Sequence, residues 1–424
     1  MEEKIVEIFD VSYEGSGVGK IDGQIVFVPK TLRRETVSVE IVKNKKSYLF
    51  GSLKKVLKAS EQRIPPVCPY YEYCGGCDFQ HCDYDTEKSL KIEILKKELS
   101  KIGVNKEIAF QQCSSRFAYR NKIKLEYNDG KLGYFKSKTH TLFAIEKCPL
   151  AKDEINALLP LIKQFLMLNK FVGLKSVYIK EIEKNIAICF LFDKNLIKNT
   201  KNLIKNVKNL DIFENISIYF GFGDVLENDK TELICLKKGN NLSKNINGKT
   251  FDFDISSFNQ INDEIAQKLY DYVVENVETK RIINAYSGQG LLTFLLAQKA
   301  KFVYGIEYQK SAHLIAEKIK DSLEEYKIEN ICGKVEDEIQ KILARDRIDS
   351  IVLDPAREGC QENVLNEIVN SKIQQIIYVS CNFSTLVRDL KNLCKFYEVE
   401  SVKIFDMFPC TANMETVVIL RRKD

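Results

Sequence analysis

The sequence predicts a multi-domain α/β protein, and three observations carry that expectation. At 424 residues the chain exceeds a single ordinary domain of about 100–200 residues. From about residue 250 onward, apolar strand-like runs alternate with helical patterns, which argues for a parallel sheet covered by helices. Before residue 60 the texture differs, with short strands and frequent turn signals.

Residues 1–58 read as strands Ile5–Phe9, Ile25–Val28, Thr36–Val42 and Tyr48–Val56, separated by Gly15-Ser16-Gly17, Asp22-Gly23 and Asn44-Lys45-Lys46. Four or five short strands in so little chain predict a small closed barrel of the oligonucleotide-binding kind. Residues 59–250 are expected to form a central α+β domain. It opens with a cysteine-rich turn, Cys68–Cys82, and a helix over Thr86–Ile102 whose apolar face is Leu90, Ile94, Leu95 and Leu99. A second amphipathic helix is expected over Lys194–Leu210. Residues 251–424 carry the strands Arg281–Tyr286, Phe302–Ile306, Ser350–Leu353, Gln375–Val379, Val399–Ile404 and Thr416–Leu420.

Composition narrows the class. Hydrophobic residues make up 45% and charged residues 29%, an ordinary soluble balance, and no apolar run approaches the ~20 residues a bilayer span needs. The first residues, Met-Glu-Glu-Lys-Ile-Val, lack a signal-peptide pattern, so a cytoplasmic protein without membrane partners, and a monomer, is expected. In that reducing setting the 13 cysteines do not form a disulfide framework, which leaves metal binding, catalysis or burial. Net charge is only +5, but residues 88–140 hold 13 Lys/Arg against five Asp/Glu, a local excess of +8. Phe117, Tyr119, Tyr127, Tyr134 and Phe135 are interleaved there, the cation-and-ring mixture that suits single-stranded nucleic acid.

Chemistry-bearing residues gather at predicted strand ends. Asn284-Ala285-Tyr286-Ser287-Gly288-Gln289-Gly290 is a glycine turn between strand and helix, where backbone approaches a ligand closely. Glu307 ends the next strand, where a ribose diol would be bound. Asp354-Pro355 ends another, and Cys381 follows the strand through Val379. This set fits a methyltransferase with a nucleoside cofactor better than a dehydrogenase. Cys68, Cys74, Cys77 and the distant Cys148 offer four thiolates, with Cys82 able to replace Cys148 on spacing grounds, and zinc and an iron–sulfur cluster can both use such a set.

The chain resembles the RNA uracil-C5 methyltransferases, which make 5-methyluridine with S-adenosylmethionine. Ser12–Lys30 looks like the opening of that family's TRAM barrel, and C-P-Y-Y-E-Y-C-G-G-C with the later E-K-C-P-L looks like its iron–sulfur cysteines. F-N-Q-I-N, A-Y-S-G-Q-G, G-I-E, L-D-P-A-R-E-G, S-C-N-F-S-T and M-F-P-C-T-A-N-M-E-T-V-V-I-L look like its catalytic motifs, in family order. The resemblance implies a Rossmann-like catalytic domain in which Gln260, Tyr286, Gly288, Glu307 and Asp354 contact the methyl donor. It also implies Cys381 as nucleophile, Glu415 as general base, and a 4Fe–4S cluster rather than zinc on Cys68, Cys74, Cys77 and Cys148. Ribosomal RNA is the expected substrate ahead of transfer RNA, from the texture of A-Y-S-G and L-D-P-A-R-E-G, with Tyr119-Arg120-Asn121-Lys122 gripping it.

The chain departs from the family pattern at Asn284, Lys334, Ala356, Phe383 and Asn413. Those departures keep a second reading in view, an RNA-binding assembly factor with weakened catalysis. A cytosine-C5 enzyme is disfavoured, because it pairs two cysteines where this chain offers Cys381 and Glu415.

Overall fold

The computed structural model describes residues 3–227, 229–278, 280–321 and 326–423. Strands β1 (Glu3–Glu7), β2 (Asp10–Val11), β3 (Ser16–Ile21), β4 (Gln24–Pro29), β5 (Thr36–Asn44) and β6 (Tyr48–Lys58) form one curled sheet in the order β1-β5-β6-β4-β3-β2. Strand alternation buries Val26, Val28, Val37, Val39 and Leu49 inside it. Asp22 and Gly23, both at positive φ, make the two-residue hairpin that sets the β3–β4 register.

Helix α1 (Tyr84–Ser100) starts where the Asp83 carboxylate accepts from the Thr86 N–H at 2.7 Å. Strand β7 (Ile108–Gln111) follows. By sequence both fall within the central region. In the structure Ile94, Leu95 and Leu99 of α1 join the apolar core of the C-terminal sheet, and β7 becomes that sheet's edge strand, parallel to its neighbour. Their apolar faces match that sheet, a long-range pairing that local pattern does not encode.

The central sheet runs β10-β9-β8-β11-β12-β13-β14, from β8 (Lys122–Asn128), β9 (Lys131–Phe135), β10 (Leu142–Ala144), β11 (Leu174–Ile182), β12 (Asn185–Phe192), β13 (Ser217–Phe222) and β14 (Glu232–Lys237). Helix α2 (Asp153–Asn169) packs Ile155, Leu159, Ile162 and Phe165 against it. The helix expected over Lys194–Leu210 is a 3₁₀ turn, Lys194–Asn199, running into a short α3 (Thr200–Lys205). Its apolar residues do reach the sheet, but asparagine recurs through the segment and is a poor helix former.

A hairpin, β15 (Leu242–Ile246) and β16 (Lys249–Phe253), precedes the C-terminal layer. There α4 (Asp263–Asn276), β17 (Arg281–Ala285), α5 (Leu291–Ala297), β18 (Phe302–Glu307), α6 (Lys310–Asp321), β19 (Ile328–Cys332), α7 (Val335–Arg345), β20 (Ser350–Leu353), α8 (Glu362–Asn370), β21 (Gln375–Ser380), α9 (Phe383–Leu393), β22 (Tyr397–Phe405) and β23 (Glu415–Arg422) alternate. The sheet order is β19-β18-β17-β20-β21-β23-β22-β7. It is parallel except for β23, which runs antiparallel between β21 and β22. Strand order reverses between β17 and β20, so a ligand crevice opens at their carboxyl ends.

One buried ionic network ties the parts together. Lys91, 0% exposed, donates to Glu87 at 2.8 Å, to Asp406 at 2.6 Å and to the Phe408 carbonyl at 3.2 Å. Arg116 donates to the other Glu87 oxygen at 2.6 Å and to the carbonyls of Phe79 and Cys82. Tyr84 donates to Asp406 at 2.7 Å, and the Cys410 N–H donates to Glu87 at 2.8 Å. Two cations and two carboxylates balance. Lys91→Ala leaves that cluster short of a cation, and its cost should be about 3–5 kcal/mol in urea unfolding, the range for breaking a buried ion pair. A loss under about 1 kcal/mol, the scale of an exposed pair, would show that the network does not hold these segments.

Candidate active site

The site assembles where the strands of the C-terminal sheet end. On the antiparallel β21–β23 ladder Ser380 pairs with Thr416, so the next residues outward, Cys381 and Glu415, face each other across the sheet's edge. Leu353 pairs with Tyr378 in the parallel direction, which brings Asp354 onto the same rim. Sequence distance is large and spatial distance small because a twisted sheet collects strand ends.

The loop carrying Cys381 is held rigidly. Asn382 caps α9 by accepting from the Ser384 N–H at 3.1 Å, and its amide donates to the Arg357 carbonyl at 2.9 Å. Thr385 donates to the same carbonyl at 3.1 Å. Thus the L-D-P-A-R-E-G and S-C-N-F-S-T motifs are tied backbone to side chain. Phe383 is the first residue of α9 and only 8% exposed, with its ring in the apolar core.

Electrostatics is dominated by burial. Glu415, 2% exposed, is pushed well above the usual carboxylate range by burial and by Asp354, and Arg357 opposes the shift. Asp354 is raised by burial as well. The Cys381 thiol is pushed up to about 11, first by burial, then by Glu415 and Asp354, with Arg357 again opposing. Cys381 sits between the end of β21 and the N-terminus of α9, a placement that by itself favours a thiolate. Burial and two neighbouring carboxylates outweigh that placement in the free protein. Arg357 was not singled out in the sequence, although it lies inside L-D-P-A-R-E-G.

On the cofactor side, Gly288 and Glu307 come together. The Gly288 N–H donates to one Glu307 oxygen at 2.9 Å and the Gln309 N–H to the other at 2.7 Å. Gly288 has φ +57, and a Cβ there would meet nothing within 4 Å, so space for a ligand lies over the turn. Gly290 at φ +82 is tight, since a Cβ would sit 2.8 Å from that of Ala316. Tyr286 also has positive φ, +61, but its ring packs on the apolar core and its hydroxyl lies against Cys360. It therefore presents backbone to the crevice. The Gln260 carbonyl accepts from the Asn121 amide at 2.9 Å, which fixes the F-N-Q-I-N loop beside the glycine turn.

The departures from family pattern are structurally mild. Asn284 is buried and donates to Thr293 at 2.8 Å, on the helix side of β17. Lys334 and Asn413 are exposed, and Ala356 lies in a turn closed by the Gly359 N–H.

Cys68, Cys74, Cys77 and Cys148 line one cavity of about 370 Å³, together with Arg120 and Tyr134. The Gly76 N–H donates to Cys74 sulfur at 3.4 Å and the Gln80 amide to Cys77 sulfur at 3.2 Å. Among the described residues no three His, Cys, Asp or Glu side chains converge closely enough to hold one metal ion. Cys82 is buried elsewhere, donating to the Phe79 carbonyl.

Tyr119-Arg120-Asn121-Lys122 does not form a nucleic-acid grip, a correction to the sequence reading. Tyr119 is buried and donates to the Pro409 carbonyl at 3.0 Å, Arg120 lines the cysteine cavity, and Asn121 is fully buried. Lys122 pairs with Glu227 at 2.6 Å. Much of the wider basic excess is likewise spent on ion pairs, at Lys91, Lys97, Lys101, Lys106, Arg116 and Lys124.

Comparison with known proteins bears on the family and the fold. Residues 83–423 match the family model described as tRNA (Uracil-5-)-methyltransferase, and residues 2–54 match the TRAM domain. An uncharacterized RNA methyltransferase of Clostridium acetobutylicum is 32% identical over 99% of this chain and 97% of its own length. Another, from Fusobacterium nucleatum, is 32% identical over 99% of this chain and 95% of its own. The crystal structure of Pyrococcus abyssi tRNA (uracil-54, C5)-methyltransferase with S-adenosyl-L-homocysteine superposes with TM-score 0.77 at 22% identity, covering 98% of this chain and 100% of that one. At that identity the likeness concerns the fold.

The charges around Cys381 give opposite expectations for two variants. Glu415→Gln removes a carboxylate and should move the alkylation midpoint of Cys381 below about 11, whereas Arg357→Leu should move it higher. Mass spectrometry of the Cys381 peptide after iodoacetamide treatment across pH measures both. Shifts of the same sign would contradict the assigned electrostatics.

Proposed function

Because the chain belongs to the tRNA (uracil-5-)-methyltransferase family and carries a TRAM domain, we propose that it methylates C5 of a uridine in RNA through Cys381 and Glu415. The observation that carries this reading is the β21–β23 register, which opposes a half-buried thiol to a buried carboxylate at the ligand end of the sheet.

The chemistry needs that pair. Bound S-adenosylmethionine supplies an electrophilic methyl group, and Gly288, Glu307 and the 258–260 loop frame the crevice suited to it. C5 of uracil is too weakly nucleophilic to accept the methyl unaided. Addition of the Cys381 thiolate to C6 moves electron density to C5, which then forms the new carbon–carbon bond. Glu415 takes the C5 proton, the C5–C6 double bond re-forms, and the sulfur leaves C6. Arg357 is the cation that favours the thiolate against the surrounding carboxylates. The target base must be unstacked to reach Cys381, so an unpaired or flipped uridine is the substrate.

The four-cysteine cavity is read as the seat of a 4Fe–4S cluster. Four cysteines lining one cavity, N–H donors on two of their sulfurs and the half-buried cation Arg120 suit an anionic group that fills the cavity. It would brace the cysteine turn against the 409–410 loop, and no step above uses it. Cys68→Ser should lower the iron content of anaerobically purified protein, and an unaltered iron content would refute this assignment.

For the RNA, the motif texture favours 23S ribosomal RNA, and the tRNA-directed relative makes transfer RNA the second reading. Tritiated methyl donor with separate unmodified 23S and transfer RNA pools tells them apart, and no label in either rejects the enzyme. Cys381→Ala should abolish incorporation. Glu415→Gln should slow it about 10²–10⁴-fold while a Cys381–RNA adduct accumulates, because only the elimination step is blocked. Loss of activity without that adduct would remove Glu415 from the proton-abstraction role.

A further inference from the structure

The N-terminal barrel reaches the catalytic loops through one exposed ring. Tyr13 lies on the 12–16 loop ahead of β3 and is 52% exposed. Its ring meets Phe383 edge-on, with centroids 5.9 Å apart and planes at 78°. Phe383 is two residues past Cys381. The loop is firmly seated: Ser12 N–H donates to the Ser16 carbonyl at 2.7 Å, and Gly15 N–H to the Ser12 carbonyl at 2.9 Å. Gly15, at φ +75, packs closely, since a Cβ there would sit 3.0 Å from that of Asp78 and 3.1 Å from that of Ala412. Ala412 is three residues before Glu415. One barrel loop therefore packs on the segments that carry both the nucleophile and the base.

Tyr13 keeps about half of its surface open to solvent although its loop is held by backbone hydrogen bonds, so one side of the ring is covered by Phe383 and the rest stays available. Extracting a uridine leaves its neighbours without a stacking partner, and a ring beside the entry supplies one. The adjacent exposed residue is Glu14, so this loop tip offers a ring and no cation, which suits a base and not a phosphate. We infer that Tyr13, backed by Phe383, stacks on a base flanking the target uridine and makes the barrel part of the active-site rim. The inference rests on the RNA-methyltransferase reading above.

The test uses full-length protein with unmodified 23S and transfer RNA transcripts, comparing wild type, Tyr13→Phe and Tyr13→Leu. RNA affinity, S-adenosylmethionine affinity, RNA KM and kcat are measured separately. Tyr13→Leu should weaken RNA binding and raise KM by about 5- to 100-fold, the range for losing one base stack, while donor affinity holds. The dependence of RNA affinity on salt should keep its slope, since no phosphate contact is lost. Tyr13→Phe should behave as wild type. A Tyr13→Leu protein with unchanged KM and lower kcat would make Tyr13 a prop for the Cys381 loop and overturn the inference. A flattened salt slope would overturn it in favour of a phosphate contact. Wild type that methylates neither RNA would reject the underlying reading as well, an outcome recognisable because it does not depend on Tyr13.

Discussion

The buried network of Lys91, Glu87, Asp406 and Arg116 is the constraint on which the arrangement depends. Its members come from a helix, a loop and the segment after β22, and it also holds the carbonyls of Phe79 and Cys82 in the cysteine turn. Charges removed from water are tolerated only when every partner is in place. The network therefore makes the cysteine turn, α1 and the loop leading to Glu415 one cooperative unit. It explains why α1 and β7 sit with the C-terminal sheet although the chain has yet to pass through the central one.

A second set of ties runs through consecutive residues. Tyr119 bonds to Pro409, Arg120 faces the cysteine cavity, and Asn121 holds Gln260 and Asp263. Three adjacent residues thus touch the 409–410 loop, the cysteine cavity and the F-N-Q-I-N loop. A run of Tyr, Arg, Asn and Lys that composition presents as a nucleic-acid surface is used as internal joinery. Composition records how many cations a segment has, and only the fold shows which of them are already neutralised.

Around Cys381 the balance runs against easy ionisation. Glu415, Asp354 and burial all raise the thiol, and Arg357 alone among the named groups lowers it. In the free protein the Cys381 thiol is therefore held protonated. Entry of a cationic sulfonium beside it would lower the thiol again.

The sequence by itself determined the ingredients: a strand-rich N-terminal module, an alternating α/β C-terminal half, and Cys381, Asp354, Glu307 and Glu415 at strand ends. These are local properties, set by hydrophobic period and by which residue follows the last apolar one. The family resemblance added the methyl donor and the nucleophile–base pairing. Only the tertiary structure decided that Cys381 opposes Glu415, because that depends on β23 inserting antiparallel beside β21. It also showed Cys148 rather than Cys82 in the cysteine cavity and packed the half-buried Tyr286 ring against the core. Register and long-range ion pairs are properties of two distant segments at once. No window along the chain contains both.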